Sequence, residues 1–257
     1  MIEKRPEINF ANNVETLHVN NVETLHVNNV ETLHVTSLQD ECKLKWFRQQ
    51  IKTWAQQHLR NFPWRHTTDP YAILVAELML QKTNAALVAP IYQAFMEKYP
   101  TLDALAAAPV TEITNILQPL GLGFRVERLR QSIGMIQSKY GGNIPKTEAE
   151  LLKLPGVGIY TARAICANAF GQPKAIIDTN VARILERFFG LVTSDRVKAR
   201  SKPLQQAADQ VAPDTNVATW NLALLDFGAA VCTAKTPRCT ECPLRQKCQK
   251  AAFDEKI

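Results

Sequence analysis

Leu154-Pro155-Gly156-Val157-Gly158-Ile159-Tyr160-Thr161-Ala162, followed by Ile177-Asp178-Thr179-Asn180, is the stretch whose reading decides the fold. Two glycines between helix-like segments predict a tight turn whose backbone N–H groups no side chain covers. Such groups bind a phosphate as a helix N-terminus does. The turn at Gly156, Val157 and Gly158, with Thr161 just beyond it, is therefore expected to grip a nucleic-acid backbone. A glycine-rich αα-hairpin with no ligand is the other reading of these residues taken alone.

Upstream and downstream, apolar residues recur at helical steps. Leu44, Phe47, Ile51 and Trp54 mark an amphipathic helix ending near Arg60, and Asp69-Pro70 reads as the cap and first residue of the next. Further helices are expected over 89–98, with Pro90 in its opening turn, and over 102–107, 110–118, 125–140, 147–153, 159–170, 181–189, 201–211 and 218–230. Pro/Gly loops join them, and no stretch alternates as a strand does, so the fold class is all-α. Residues 12–35 are three identical copies of Asn-Asn-Val-Glu-Thr-Leu-His-Val. That period fits no helix, and residues 1–36 are expected to form a disordered tail.

One helix carries a chemical anomaly. Tyr71-Ala72-Ile73-Leu74-Val75-Ala76-Glu77-Leu78-Met79-Leu80-Gln81-Lys82-Thr83 is apolar almost all round, with one carboxylate in its middle. A helix of this kind is buried, and burial raises an acid's pKa, so Glu77 is expected to hold a proton near neutral pH. A Glu77 turned to solvent or paired with an arginine is the alternative.

Cys232-x6-Cys239-x2-Cys242-x5-Cys248 sets four thiols in seventeen residues, whereas Cys42 and Cys166 stand apart. Four thiolates in one loop suit a reduced compartment and either a tetrahedral zinc or a [4Fe-4S] cluster; spacing alone leaves both open. Lys+Arg 30 against Asp+Glu 24 gives +6, which suits a polyanionic partner without requiring one. No apolar run reaches membrane-spanning length and no signal-peptide order opens the chain, so no membrane is involved and a soluble, cytoplasmic, nucleoid-associated monomer is expected.

Taken together, Phe62-Pro63-Trp64-Arg65, the run from Glu77 to Thr83, the hairpin, Asp178-Thr179-Asn180 and the four cysteines resemble the endonuclease III and MutY (HhH-GPD) superfamily of DNA glycosylases. The likeness covers about residues 44–248. It implies a two-lobed helix-hairpin-helix fold: residues 61–174 as a six-helix barrel lobe carrying the hairpin, and 37–60 plus 175–257 as an iron-sulfur lobe. It turns the cysteine loop (Cys232, Cys239, Cys242, Cys248) towards a [4Fe-4S] cluster.

Within that superfamily the endonuclease III branch has a nucleophilic lysine where this chain has Tyr160, and tyrosine forms no Schiff base. The resemblance therefore implies a monofunctional enzyme that flips a mispaired base out of double-stranded DNA and hydrolyses its glycosidic bond. The base is adenine opposite G or 8-oxoguanine, or thymine or uracil opposite G. Phe62-Pro63-Trp64-Arg65-His66-Thr67, Asp69-Pro70-Tyr71, Lys82, the loop 121–125 and a chain stopping nine residues after Cys248 lean to the second; Met79-Leu80-Gln81 leans to the first. Glu77 is implied to protonate the departing base or order a water, Asp178 to stabilise the sugar cation or attack it transiently, and Tyr160 and Asn180 to orient that pair and the water. Gln81 is the candidate wedge, or a surface glutamine, and Lys82 lies beside it. An endonuclease III-like glycosylase/AP lyase for damaged pyrimidines and a non-catalytic damage-binding module are the rival functions.

Overall fold

In the computed structural model, which describes residues 40–121, 123–191 and 201–254, every regular element of the described residues is helical. The repeat-bearing tail and Leu122 lie outside them. In chain order the helices are α1 (Glu41–His58), α2 (Pro70–Leu80), α3 (Ala85–Lys98), α4 (Leu102–Ala106), α5 (Val110–Leu117), α6 (Gly123–Tyr140), α7 (Glu148–Leu151) and α8 (Ile159–Phe170). There follow α9 (Thr179–Phe189), α10 (Lys202–Val211), α11 (Val217–Ala230) and α12 (Gln249–Asp254), with 3-10 turns at Pro63–Arg65, Gln118–Leu120 and Arg245–Lys247.

Caps set the starts. The carboxylate of Asp69 accepts from Tyr71 N at 3.0 Å with Pro70 behind it, and Thr101 and Thr147 cap α4 and α7 in the same way. Each such cap is worth about 1 kcal/mol. Helix α3 departs from expectation. It begins at Ala85 because Asn84 accepts from Ala86 N at 2.8 Å, which leaves Pro90 inside the helix instead of in its opening turn. Pro90 lies on the exposed face, so water serves the carbonyl that its missing N–H leaves free. Helix α9 likewise starts two residues earlier than its pattern suggests, at Thr179, because Asp178 is its cap.

Two hydrophobic cores result. The first gathers α2, Val88, Tyr92 and Phe95 of α3, Ile113 and Leu117 of α5, Ile133 and Ile136 of α6, and Ile165 of α8. Every residue of α2 from Tyr71 to Met79 is buried, as its all-round apolar sequence requires. The second packs Phe47 and Ile51 of α1 against Phe188 and Phe189 of α9, Leu204 of α10, and Trp220 and Phe227 of α11. Phe47 is its hub, with ring centroids 4.7 Å from Phe188, 5.2 Å from Phe189 and 5.8 Å from Trp220.

The cores are joined by polar groups. Arg163, buried on α8, pairs with Glu148 at 3.2 Å and with Asp209 of α10, and its Nε donates to Ala175 O at 2.6 Å. Beside this join α11 crosses α9 without clearance: a Cβ on Gly228 would fall 2.6 Å from Asn180 Cβ. Gly228→Ala must therefore push the helices apart. It is expected to cost about 1–3 kcal/mol, read as a lower urea midpoint at unchanged slope.

Candidate active site

Between the two cores lies a cavity of about 370 Å³. Its walls come from α2 (Glu77, Leu80), the first turn and body of α8 (Tyr160, Asn168), the start of α9 (Asp178, Asn180), α11 (Thr219, Leu222) and the turn carrying Trp64 and Arg65. Residues far apart in sequence, Glu77, Tyr160, Asp178 and Asn180, thus share one space.

Glu77 is 9% exposed, and among the described residues no hydrogen bond or ion pair holds its carboxyl. Burial pushes its pKa up to about 8, against the opposing charge of Arg65. Glu77 is thus neither turned to solvent nor ion-paired with an arginine; it is a buried acid whose proton burial favours. Asp178 is built differently. As the cap of α9 it accepts from Asn180 N and Val181 N, both at 2.8 Å, and its other oxygen accepts from Asn180 Nδ2 at 2.8 Å. Burial raises its pKa, while those N–H groups and Arg183 pull it back towards the anion. Burial and the two neighbouring acids, Glu77 and Asp178, hold the Tyr160 phenol well above its ordinary pKa, so it stays neutral.

Asn180 is in turn fixed by Arg183, whose Nη2 donates to Asn180 Oδ1 at 2.7 Å and to Gly228 O at 2.8 Å, and whose Nε donates to Cys232 O at 2.7 Å. A continuous chain of hydrogen bonds therefore runs from Asp178 to the first cysteine of the loop. All four loop cysteines are free thiols. Burial pushes the Cys242 thiol up to about 11 and raises Cys248. Arg187 Nη1 donates to Cys232 Sγ at 3.5 Å. No three His, Cys, Asp or Glu groups among the described residues are set to hold a single metal ion.

At the hairpin, Gly156 has φ +82°, a left-handed conformation that leaves its added Cβ only 3.2 Å from Arg128. Gly158 caps α8 without a side-chain bond, and the first intrahelical bond is Ala162 N to Gly158 O at 2.9 Å. The N–H groups of Ile159, Tyr160 and Thr161 thus have no partner within the helix. Val157 and Thr161 are buried, and Val157 N donates to Leu154 O at 3.1 Å, so neither residue's side chain is presented to a ligand. Gln81 does not line the cavity; its Nε2 donates to Gly156 O at 2.9 Å and ties the end of α2 to the hairpin. Lys82 follows, exposed and in the left-handed region at φ 56°.

One residue beside the site is not marked by the sequence motifs. Asp226, its side chain 1% exposed, takes Arg60 N at 2.8 Å, Arg60 Nε at 2.6 Å, and both Arg65 Nη1 and Nη2 at 2.7 and 2.9 Å. Arg65 keeps a buried Nε with no partner. The available signal was an acid in the otherwise apolar run Trp220-Asn221-Leu222-Ala223-Leu224-Leu225-Asp226-Phe227, the same anomaly that marks Glu77.

Comparison with known proteins agrees with this geometry. Residues 75–210 match the family described as HhH-GPD superfamily base excision DNA repair protein. The thymine/uracil-DNA glycosylase of Methanothermobacter thermautotrophicus is 35% identical over 80% of this chain and 93% of that protein. The adenine DNA glycosylase of Mycolicibacterium smegmatis is 37% identical over 76% of this chain and 66% of that protein. A solved structure of a thermostable thymine-DNA glycosylase superposes with a TM-score of 0.78 at 34% identity, covering 82% of this chain and 98% of its own.

The raised pKa of Glu77 has a thermodynamic consequence. The folded chain binds this proton more tightly than the unfolded one, so the unfolded state loses it first, above about pH 4.5, and stability falls until about pH 8. Glu77→Gln removes that loss. The variant is expected to match the parent near pH 4 and to exceed it by on the order of 3–5 kcal/mol at pH 8.5, measured by urea unfolding at both pH values.

Proposed function

The chain belongs to the HhH-GPD superfamily of base excision DNA repair proteins, and on that premise we propose that it is a monofunctional glycosylase removing thymine or uracil paired with guanine. The observation that carries the reading is the single cavity holding Glu77, Tyr160, Asp178 and Asn180. A base inside a duplex is out of reach, so the nucleotide must leave the stack, and a mispaired one leaves most readily. Protonated Glu77 then donates to a carbonyl oxygen of the departing pyrimidine. The Asp178 carboxylate stabilises the positive sugar as the C–N bond breaks and takes the proton of the water that adds at C1′. This is the division of labour between two carboxyl groups in glycoside hydrolysis. No lysine lines the cavity among the described residues, which supports hydrolysis over Schiff-base chemistry.

The choice of pyrimidine rests on the relatives: proteins named thymine/uracil-DNA glycosylase and thymine-DNA glycosylase are 35% and 36% identical to this chain over 93% and 96% of their own length, and the solved thymine-DNA glycosylase superposes at a TM-score of 0.78. The uncapped first turn of α8 and the left-handed turn at Gly156 suit a phosphate of the DNA backbone, with Lys82 beside them.

Cys232, Cys239, Cys242 and Cys248 would hold a [4Fe-4S] cluster. Their spacing in the chain and half-buried setting fit thiolates whose charge a metal neutralises. When bound, the cluster cross-links the loop from 232 to 248. We assign residues 61–174 to the lobe of the first core, and 37–60 with 175–257 to the lobe of the second. One chain supplies every group named, so a monomer suffices.

Incubating the protein with G·T, G·U, A·G and A·8-oxoguanine duplexes, then cleaving abasic sites with alkali, tests the proposal. Release is expected from G·T and G·U. Preference for A·8-oxoguanine would overturn the pyrimidine assignment, and no release from any duplex would overturn the glycosylase. Asp178→Asn should abolish release and leave DNA binding within a few-fold. The rate should fall as pH rises through about 8, where Glu77 gives up its proton.

A further inference from the structure

The linker from Gly171 to Asp178 carries no helix or strand, yet residues 175–177 are buried. Buried backbone groups need partners, and no neighbouring strand exists to supply them. Side chains do so instead. Asn221 of α11, 2% exposed, accepts from Ile176 N at 3.2 Å through Oδ1 and donates from Nδ2 to Lys174 O at 2.9 Å. On the opposite side, Ala175 N donates to Asp209 Oδ1 at 3.2 Å, and Ala175 O accepts from Arg163 Nε at 2.6 Å and Gln205 Nε2 at 3.0 Å.

The alternation is that of a strand in a sheet. Residues 174 and 176 turn their polar groups to one side and 175 to the other. A carboxamide that donates to the carbonyl of one residue and accepts from the N–H two residues on reproduces one residue of a parallel neighbouring strand. Ile176 is itself a wall of the cavity, and Asp178 stands two residues further along the same backbone. The register of this linker fixes how deep the Asp178 carboxylate reaches.

We infer that Asn221 is a positioning residue for the reaction: by standing in for a missing strand it holds the 174–178 backbone at the depth that brings Asp178 to the sugar. The inference rests on the glycosylase reading for its catalytic consequence, but its geometric content stands apart from activity. An apolar residue at 221 leaves Lys174 O and Ile176 N–H buried without partners, and the linker must shift to find water. The hairpin N–H groups at the start of α8 take no part in these bonds and are left in place.

The test uses Asn221→Leu and Asn221→Asp, the second keeping the acceptor for Ile176 N–H, with Phe95→Leu in the first core as a control for loss of stability alone. Hydrogen exchange of the peptide covering 172–179 in the whole protein reports the bracket directly. Protection there is expected to fall in Asn221→Leu, less in Asn221→Asp, and not in Phe95→Leu. Single-turnover base release from G·U should drop 10- to 100-fold in Asn221→Leu, with the Kd for the same duplex within two-fold of the parent. Unchanged exchange at 172–179 would overturn the bracket. So would a loss of release no greater than that of Phe95→Leu, or one matched by an equal loss of DNA binding. If the parent releases no base, the glycosylase reading fails, and the exchange result alone decides the placement of the linker.

Discussion

Keeping a proton on Glu77 while Arg65 sits in the same cavity is the constraint on which the site depends. A guanidinium near a carboxyl favours its anion, and Arg65 does pull the Glu77 pKa down, yet burial outweighs it. Asp226 takes up the charge of Arg65 at the other side. Burial pushes its own carboxyl up, but the hydrogen bonds and charges of Arg65 and Arg60 prevail and hold it below the usual carboxylate range. Asp226 is therefore an anion spread over two guanidinium groups. Two buried carboxyl groups on separate helices thus end in opposite protonation states because one has arginine partners and the other has apolar neighbours.

The second acid obeys another logic. Asp178 owes its place to capping, since its carboxylate serves the N–H groups that α9 cannot satisfy internally. The same oxygen atoms that stabilise the helix are those the chemistry needs charged, so structure and reactivity make one demand on this residue. Tyr160 is likewise placed by a helix start, at the second position of α8 behind the glycine turn. The hairpin therefore does two things with one bend: it exposes backbone N–H groups outward and turns a phenol inward. Gln81 locks that bend to the helix bearing Glu77, which couples the backbone grip to the acid.

The features legible in the sequence are those set by neighbours along the chain. The all-apolar surround of Glu77, the Asp69-Pro70 start and the glycine turn are local patterns, and the structure has the buried helix, the cap and the positive φ that they require. Pro90 misled because a proline at an opening turn and a proline on a solvated helix face look alike until the cap at Asn84 is seen. The bond from Gln81 to Gly156 O has no local signature, because its partner lies 75 residues away. Asp226 and Asn221 were passed over for the same reason: their partners, Arg65 and the 174–176 backbone, lie far from them in sequence.

The buried polar residues of α2 and α11 share a signal and differ in what resolves it. An apolar helix interrupted by Glu77, Asn221 or Asp226 announces that something polar must be met inside, because an unserved buried group costs more than most single contacts return. Whether that something is a proton, a backbone or a guanidinium depends on what the fold brings opposite. Glu77 meets a cavity and keeps its proton; Asn221 meets a bare backbone and brackets it; Asp226 meets two arginines and stays charged. Each outcome removes the penalty by a different route, and only the first leaves a group free to act on a ligand. A polar residue in an apolar helix is thus a marker of position, and its chemistry is assigned by the element across from it.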